Sequence, residues 1–250
     1  MMSYNPYSLE GKTILVTGAS SGIGQATAIE CSKMGAKVII TARNEERLQQ
    51  TLSKMEGGEH QYLICDLSNS SEIDNLIQEL PILDGLVNNA GFTTTSPVQF
   101  IKEEELNKIL QVNTIAPILI LKNLVKRKKL SKGSSVVFTS SLSGLGKISL
   151  GNSMYAVSKG GISTFIKCAA KELAEKHIRV NAVCPGMVDT GILDKGTITS
   201  EQLEIDRLRY PLKRYGRPEE IAWAIIYLLS NASSWVTGTN MIIDGGIMTK

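Results

Sequence analysis

Tyr155 and Lys159, four residues apart, are the pair of side chains in this 250-residue sequence with the clearest potential for chemistry. On a helix, this spacing places both side chains on one face. A tyrosine with its ordinary pKa near ~10 exchanges protons poorly at neutral pH, and a neighbouring ammonium should lower that pKa by favouring the phenolate. The pair therefore predicts a group that transfers protons, although the same spacing also occurs on helix faces that only meet solvent.

Polar side chains that could assist a proton transfer occur earlier in the sequence. Ser140 and Ser141 end a predicted strand, where a hydroxyl could donate to a substrate carbonyl or simply fill a polar position, and Ser143 is a further candidate. Asn113 falls in a predicted helix, which asparagine disfavours, so its side chain could bond locally to the backbone. Histidine occurs at two positions only, which argues against a histidine-rich metal site or a Ser-His-Asp triad.

A glycine-rich segment, TGASSGIG at residues 17–24, follows the first predicted strand and opens a helix. Glycines allow a backbone to approach a pyrophosphate closely, and a helix N-terminus offers free N–H groups to an anion. The spacing GxxxGxG differs from the common dinucleotide fingerprint GxGxxG, and the absence of a following Gly-Lys-Ser/Thr disfavours a nucleoside triphosphate site of the Walker type. Taken alone, the segment could also be no more than a tight turn.

The elements that must position these residues alternate between apolar strands and amphipathic helices. Predicted strands cover residues 13–16, 37–41, 62–65, 86–87, 135–139, 178–183 and 241–243. Predicted helices cover residues 22–35, 45–54, 71–80, 102–129 (as one helix or two pieces), 153–176 and 218–229. Such alternation indicates a Rossmann-type, doubly wound α/β fold with a seven-stranded, predominantly parallel sheet, in one domain over residues 1–250. Ligands then bind at the carboxyl ends of the strands, and the long irregular segment 185–216 is predicted to form a substrate lid over about 186–216.

The composition excludes several classes of protein. Apolar residues make up 42% and charged residues 20% of the chain, as in ordinary globular proteins, and a net charge of +3 does not indicate nucleic-acid binding. The apolar run Ile221–Leu229 is too short for a membrane span, and the N-terminus lacks the features of a signal peptide. Four scattered cysteines without a CxxC pair fit a reducing compartment. We therefore expect a cytoplasmic protein.

In their order along the chain, these segments resemble the short-chain dehydrogenases/reductases. The resemblance rests on residues 17–24, on NNAG at 88–91, on Asn113, Ser141, Tyr155 and Lys159 in that order, and on Pro185-Gly186. It covers about residues 9–246. It implies the catalytic set Asn113, Ser141, Tyr155 and Lys159, in which Asn113 holds a water that links the lysine to solvent. It also implies a nicotinamide cofactor site formed by Gly18, Ser20, Ser21, Gly22, Ile23, Gly24, Arg43, Asp66, Leu67, Asn89, Ala90, Gly91, Tyr155, Lys159, Pro185, Gly186, Val188 and Thr190. Ser141 lies one residue further from Tyr155 than is common in close relatives.

The end of the second strand bears on which cofactor binds. An acidic residue there would bind the ribose 2′-hydroxyl of NAD, whereas an arginine accommodates the 2′-phosphate of NADP. Here Ala42 takes the acidic position and Arg43 follows it. This predicts NADP(H) rather than NAD(H), unless Arg43 is an ordinary surface charge. Ser21 departs from the pattern, because many NADP-preferring relatives have a second basic residue in the glycine loop.

A basic cluster at residues 126–129, with Lys132, ends the helix before the fifth strand. Positive charge is favourable at a helix C-terminus, but the cluster could also bind an acidic partner. The resemblance is closest to bacterial 3-oxoacyl-[acyl-carrier-protein] reductases, and it implies an acyl carrier protein bound at Lys126, Arg127, Lys128, Lys129 and Lys176. It further implies a homotetramer that reduces a ketone to a secondary alcohol. Reduction of a sugar, a steroid or another small molecule remains an alternative, as does an NADP-binding regulator or scaffold without turnover.

Overall fold

The computed structural model describes residues 4–190 and 199–249. The strands are β1 (Thr13–Thr17), β2 (Lys37–Ala42), β3 (Gln61–Ile64), β4 (Leu83–Asn88), β5 (Leu130–Thr139), β6 (Arg179–Pro185) and β7 (Asn240–Ile243). The helices are α1 (Gly22–Lys33), α2 (Glu45–Leu52), α3 (Ser70–Glu79), α4 (Glu103–Leu110), α5 (Ala116–Lys126), α6 (Ser153–Leu173), α7 (Ser200–Leu208) and α8 (Pro218–Leu229).

The strands form one seven-stranded sheet in the order β3-β2-β1-β4-β5-β6-β7. Every neighbouring pair in it is parallel. The strand order reverses direction between β1 and β4, which is the point where doubly wound sheets bind their ligands. The predicted Rossmann-type fold is confirmed.

Apolar side chains from β1 enter two separate cores, one on each face of the sheet. Leu15 packs into the core beneath α3, α5 and α6, whereas Ile14 and Val16 pack into the core beneath α1 and α8. Because successive side chains of a strand point to opposite faces, this division requires helices on both sides. It explains why the strands are nearly continuous apolar runs rather than alternating ones.

The predicted helix over residues 102–129 consists of α4 and α5 joined by a π-helical turn, Gln111–Ile115. Together they make a helical run, Glu103–Lys126, that by length and composition alone could cross a bilayer. The sequence analysis did not identify it, because the apolar residues of this run are not consecutive. The buried side chains of α5, such as Ile120 and Leu124, belong to the core against the sheet, so the run is a core helix of the domain. Pro117, which has no N–H to donate, lies directly after the π-helical turn, where the regular hydrogen-bond pattern is already interrupted.

The segment after β6 is more regular than predicted. It contains α7, which begins with a capping box in which the Thr199 hydroxyl accepts from the Gln202 N–H at 3.2 Å and the Gln202 side chain accepts from the Thr199 N–H at 3.0 Å. Residues 191–198 of the predicted lid lie outside the described residues. The interpretation of 185–216 as wholly irregular is wrong. The capping box of Thr199 and Gln202 stabilises the start of α7, a helix that the spacing of apolar residues does not indicate.

Candidate active site

The segments that follow β1, β4, β5 and β6 come together at one edge of the sheet. Because these strands are parallel neighbours, residues 18–24, 89–91, 140–141 and 186–190 leave the sheet at the same edge. Helix α6 runs back from this edge and brings Tyr155 and Lys159 with it. The predicted site residues are therefore brought into one region by topology, as the sequence order requires.

Lys159 is fixed to the end of β5. Its side chain is buried, and Nζ donates to the carbonyl oxygen of Thr139 at 2.7 Å. The same nitrogen lies 5.9 Å from the centroid of the Tyr155 ring. Burial lowers the pKa of Lys159 to about 8, because removing an ammonium from water disfavours its charged form.

Tyr155 lies next to Ser141, the serine that the family resemblance implies. The Ser141 side chain lies close enough to the Tyr155 hydroxyl to lower the pKa of that hydroxyl. Burial raises the pKa of Tyr155 and outweighs the lowering effect of Ser141. The prediction of a lowered pKa is therefore wrong for the protein as described, because desolvation is the largest effect on this hydroxyl. Tyr155 is consequently protonated at neutral pH and is a potential acid.

The three candidate serines have different surroundings. Ser140 is buried, and its hydroxyl donates to the Lys159 carbonyl at 3.0 Å and lies 2.7 Å from the Ser163 hydroxyl, so it ties β5 to α6. Ser143 accepts from the Asn152 amide at 3.2 Å. Ser141 caps the short turn Leu142–Leu145, accepting from the Ser143 N–H at 3.2 Å. Of the three, Ser141 is the one that meets Tyr155.

Asn113 occupies the π-helical turn, a geometry that often marks functional positions. Its amide oxygen accepts from the Phe92 N–H at 3.0 Å, and its amide nitrogen donates to the Phe92 carbonyl at 2.9 Å and to the Ser158 hydroxyl at 3.0 Å. A Cβ atom on Gly91 would lie 3.0 Å from this amide oxygen and 3.2 Å from Lys159 Nζ. Gly91 thus packs directly between Asn113 and Lys159, and a larger residue there would force them to move.

The glycine loop has the open backbone that a pyrophosphate requires. Gly18 and Gly22 adopt φ angles of +67° and +56°, which favour glycine. A Cβ on Gly18 would stand 2.7 Å from Ala90 Cα, and a Cβ on Gly24 would collide with the Gly18 carbonyl. The first turn of α1 holds no acidic residue, and its N-cap Ser21 makes no capping bond with its side chain. These features leave the helix N-terminus suited to an anion.

The remaining loop positions, Ser20 and Ile23, are half-buried beside these glycines. On the other side, the segment after β6 closes against the loop. Gly186 N–H donates to the Ile243 carbonyl at 2.9 Å, which continues the pairing of Pro185 with β7. Val188 is buried, and a Cβ placed on Gly22 would lie 3.2 Å from Thr190. Thr190 is therefore adjacent to the glycine loop.

Asn89 holds three strand ends together through its side chain. Its amide nitrogen donates to the Thr17 carbonyl at 3.2 Å, and its amide oxygen accepts from the Thr139 hydroxyl at 3.2 Å. Thr17 in turn accepts, through its hydroxyl, from the backbone N–H groups of Asn89 at 3.0 Å and Ala90 at 3.1 Å. The side chain of Asn89 positions the loop. Sequence reasoning missed Thr17 and Thr139, whose only signal is a threonine at the end of a buried strand.

The predicted adenosine end contains Arg43 and Asp66. Arg43 is 72% exposed, and its guanidinium lies 3.9 Å from the Asp66 carboxylate, so it is available to a ligand. Burial raises the pKa of Asp66, but hydrogen bonds from Ser68 and the charges of Arg43 and Lys108 together hold it below its ordinary value. The side chain of Leu67 is buried in the core.

The basic cluster lies at the opposite edge of the sheet. Three of its members, Lys126, Lys128 and Lys132, line a groove of about 650 Å³ together with Lys176. Lys126, Arg127 and Lys128 are exposed, but Lys129 donates to the carbonyls of Gln78, at 2.7 Å, and Leu80, so it neutralises the end of α3. Lys129 thus uses two of its three N–H donors within the chain, and its contact with a partner stays a prediction. The cluster precedes β5 and Ser141 follows it, and β5 pairs with β4 from Leu83 to Asn88 through an irregular register, so the two regions are on the order of 20 Å apart.

Comparison with known proteins identifies the family to which this fold and site belong. A family model described as enoyl-(acyl carrier protein) reductase matches residues 18–248. The chain belongs to the short-chain dehydrogenase/reductase family. Like the members of that family, it is an NAD(P)-dependent oxidoreductase acting on CH–OH groups, so a scaffold without turnover is not supported.

Individual relatives of this dehydrogenase/reductase differ in their substrates. It is 35% identical over 240 residues to the 3-oxoacyl-[acyl-carrier-protein] reductase FabG of Rickettsia prowazekii, covering 96% of this chain and 98% of the relative. It is also 35% identical over 247 residues to the glucose 1-dehydrogenase of Gluconobacter oxydans, covering 95% and 92%. The Pseudomonas aeruginosa RhlG/NADP active-site complex superposes with a TM-score of 0.90 at 32% identity, covering 98% and 99%.

Proposed function

We propose that this chain reduces a ketone to a secondary alcohol with NADPH, using Ser141, Tyr155, Lys159 and Asn113. The observation that carries the proposal is the position of Tyr155 beside Lys159, whose nitrogen lies 5.9 Å from the tyrosine ring centroid and is fixed to the end of β5, next to Ser141. Two neutral hydroxyls that lie close together there can both donate to one carbonyl oxygen. Such donors stabilise the negative charge that develops on that oxygen.

Each residue then has a separate chemical task. Held at the glycine loop, NADPH would supply a hydride to the carbonyl carbon and so place negative charge on the carbonyl oxygen. Ser141 donates a hydrogen bond to that oxygen, and Tyr155 transfers its phenolic proton to it, which leaves the alcohol and a phenolate. The ammonium of Lys159 stabilises the phenolate by charge. Asn113, which packs with Gly91 beside Lys159, orders the path by which a proton from solvent restores the tyrosine.

We further propose that the cofactor is NADP(H) rather than NAD(H). Gly18, Gly22 and Gly24 leave room for the pyrophosphate, and the N-terminus of α1 faces it. Arg43 supplies an exposed guanidinium for the 2′-phosphate, and Ala42 leaves no carboxylate that would repel it. NADP in the P. aeruginosa structure supports the same preference.

The proposed substrate is a 3-oxoacyl group carried on acyl carrier protein. The similarity to FabG supports it, and so do the exposed cations Lys126, Arg127, Lys128 and Lys176, which suit an acidic carrier. Because this groove lies on the order of 20 Å from Ser141, a carrier bound there needs a long arm or serves the site of a neighbouring subunit in a homotetramer. A sugar substrate is the second candidate, and the similarity to glucose 1-dehydrogenase favours it.

Three of the four free cysteines are buried, which fits a cytoplasmic setting.

The test compares NADPH oxidation with acetoacetyl-acyl carrier protein, acetoacetyl-pantetheine, crotonyl-pantetheine and a panel of keto sugars. We expect turnover of both acetoacetyl thioesters, no turnover of the crotonyl thioester, and a lower KM for the carrier-bound form. Lys128→Ala with Lys176→Ala should raise the KM for the carrier-bound form only, while Lys54→Ala, an exposed lysine near α2, serves as the control. Turnover of keto sugars alone would refute the carrier proposal, and inactivity towards every ketone would refute ketone reduction.

A further inference from the structure

A small cavity lies next to the turn that Ser141 begins. It has a volume of about 320 Å³ and is lined by Leu145, Gly146, Lys147, Arg209, Ile247 and Met248. These residues come from the segment after β5, from the end of α7 and from the C-terminal segment after β7. Leu145 ends the short helical turn that follows Ser141, so the cavity wall is roughly 8 Å from Ser141 along that turn, at ~2.0 Å per residue.

Two cations face this cavity, and their acidic neighbours are already engaged. Lys147 is half-buried, and among residues 4–190 and 199–249 it has no acidic partner within 4.0 Å; its contact is the Ile247 carbonyl at 3.5 Å. Arg209 lies 3.3 Å from the Asp206 carboxylate, which also accepts from the Tyr215 hydroxyl at 2.9 Å. The nearby Asp244 carboxylate accepts from the N–H groups of Gly246 and Met248. The two ionisable residues that line the cavity are thus both cations, whereas Asp206 and Asp244 lie outside its lining.

Three apolar side chains complete the wall of the cavity beside these two cations. Leu145, Ile247 and Met248 exclude part of the solvent, which strengthens the attraction between a cation and a bound anion. An arginine has five N–H donors, and its bond to Asp206 uses only part of them. A carboxylate or a phosphate with a short apolar body fits both the volume and the charge.

We propose that Lys147 and Arg209 bind an anionic group of the substrate, so that a ketone carrying a carboxylate or phosphate is held with its carbonyl at Ser141 and Tyr155. The proposal rests on the proposed ketone reduction and adds the substrate class. A carboxylate would belong to an oxo acid or sugar acid, and a phosphate to the arm that carries an acyl group. The two sources share the chemistry of a small anion but differ in reach, because the carboxylate lies a few bonds from the reacting carbonyl and the phosphate lies at the far end of the arm.

The first test uses matched charged and neutral ketones. The pairs are 5-oxohexanoate, 6-oxoheptanoate and 7-oxooctanoate, each with its methyl ester, and acetoacetyl-4′-phosphopantetheine with acetoacetyl-pantetheine. We expect the best anion to exceed its neutral partner about tenfold in kcat/KM, through KM, as a charge-assisted contact gives. Lys147→Met and Arg209→Met should each remove most of this preference while leaving kcat for the neutral ketones unchanged. Lys54→Met is the matched control.

The second test measures binding without turnover. Calorimetric titration of heptanoate into the NADP⁺-bound protein should show binding that Lys147→Met weakens about tenfold, whereas methyl heptanoate should bind wild type and variant equally. Preference in the oxo-acid pairs alone identifies a carboxylate, and preference in the phosphopantetheine pair alone identifies a phosphate. Equal use of charged and neutral partners, with binding unaffected by the variant, would overturn the inference. The protein could also bind the anion through Lys147 and yet be inactive on every ketone. That result would refute the proposed function but support the anion site.

Discussion

The ammonium nitrogen of Lys159 donates to the backbone carbonyl of Thr139 at 2.7 Å, which fixes the lysine to the last residue of β5. Tyr155 lies one helical turn earlier on α6, with its ring centroid 5.9 Å from that nitrogen. The charge is therefore close enough to stabilise a phenolate but does not ionise the tyrosine beforehand. This arrangement suits reduction, in which Tyr155 begins as an acid.

The rate of ketone reduction should depend on the protonation of Lys159. Burial lowers the pKa of this lysine to about 8, so its stabilising charge is present below that pH and is lost above it. We expect kcat to fall above pH about 8 with the dependence of one proton, measured at saturating substrate and cofactor. In Lys159→Arg the guanidinium keeps its charge, so this fall should disappear even though the activity is lower. A wild-type kcat that stays constant well above pH 8 would contradict the assignment.

Asn113→Ala should reduce both stability and activity. The change leaves the Phe92 N–H and carbonyl and the Ser158 hydroxyl without their present partner. We expect the free energy of unfolding to fall by about 1–3 kcal/mol, because the part-buried Phe92 groups lose their partner while the Ser158 hydroxyl still donates to the Tyr155 carbonyl at 2.8 Å, and we expect kcat to fall by at least about tenfold. Denaturant titration and steady-state kinetics measure the two effects. Asn107→Ala, at an exposed position of α4, is the control, and equal behaviour of the two variants would rule out this role for Asn113.

Arg43→Ala should weaken NADPH binding selectively. The guanidinium is exposed, and its nearest acid, Asp66, is 3.9 Å away, so little stability depends on it. Loss of a charge-assisted contact with the 2′-phosphate should raise the KM for NADPH by about ten- to a hundredfold and leave that for NADH unchanged. Arg47→Ala, also exposed, is the matched control. Equal losses with both cofactors would show that Arg43 does not recognise the phosphate.

Gly24→Ala should disrupt the cofactor loop, because the new methyl group would collide with the Gly18 carbonyl and the Asn89 amide. We expect NADPH affinity, followed by fluorescence titration, to fall at least about tenfold, since the loop must shift where the pyrophosphate approaches. Gly58→Ala has no atom within 4 Å of the added carbon and serves as the control. Unchanged affinity in Gly24→Ala would mean that the cofactor does not depend on this close packing.

The sequence allowed the sheet, its direction and the order of the site segments to be predicted, because apolar strand periodicity and glycine spacing are local signals. Local signals do not report partners that are distant in the chain. Lys129 looks like one more surface cation, yet it bonds to the end of α3, and Ser140 looks equivalent to Ser141, yet it bonds to α6. The pKa of Tyr155 was predicted with the wrong sign for the same reason, since desolvation depends on everything packed around the ring.

The transfer of deuterium from NADPH labelled at the reactive C4 position tests the central claim most directly. Wild-type protein incubated with acetoacetyl-pantetheine should place the label on the carbinol carbon of the product. Tyr155→Phe should bind NADPH with unchanged affinity but form product at least about a thousandfold more slowly, because it lacks the proton that the alkoxide requires. Unlabelled alcohol from wild type, or labelled alcohol formed by Tyr155→Phe at the wild-type rate, would contradict the account.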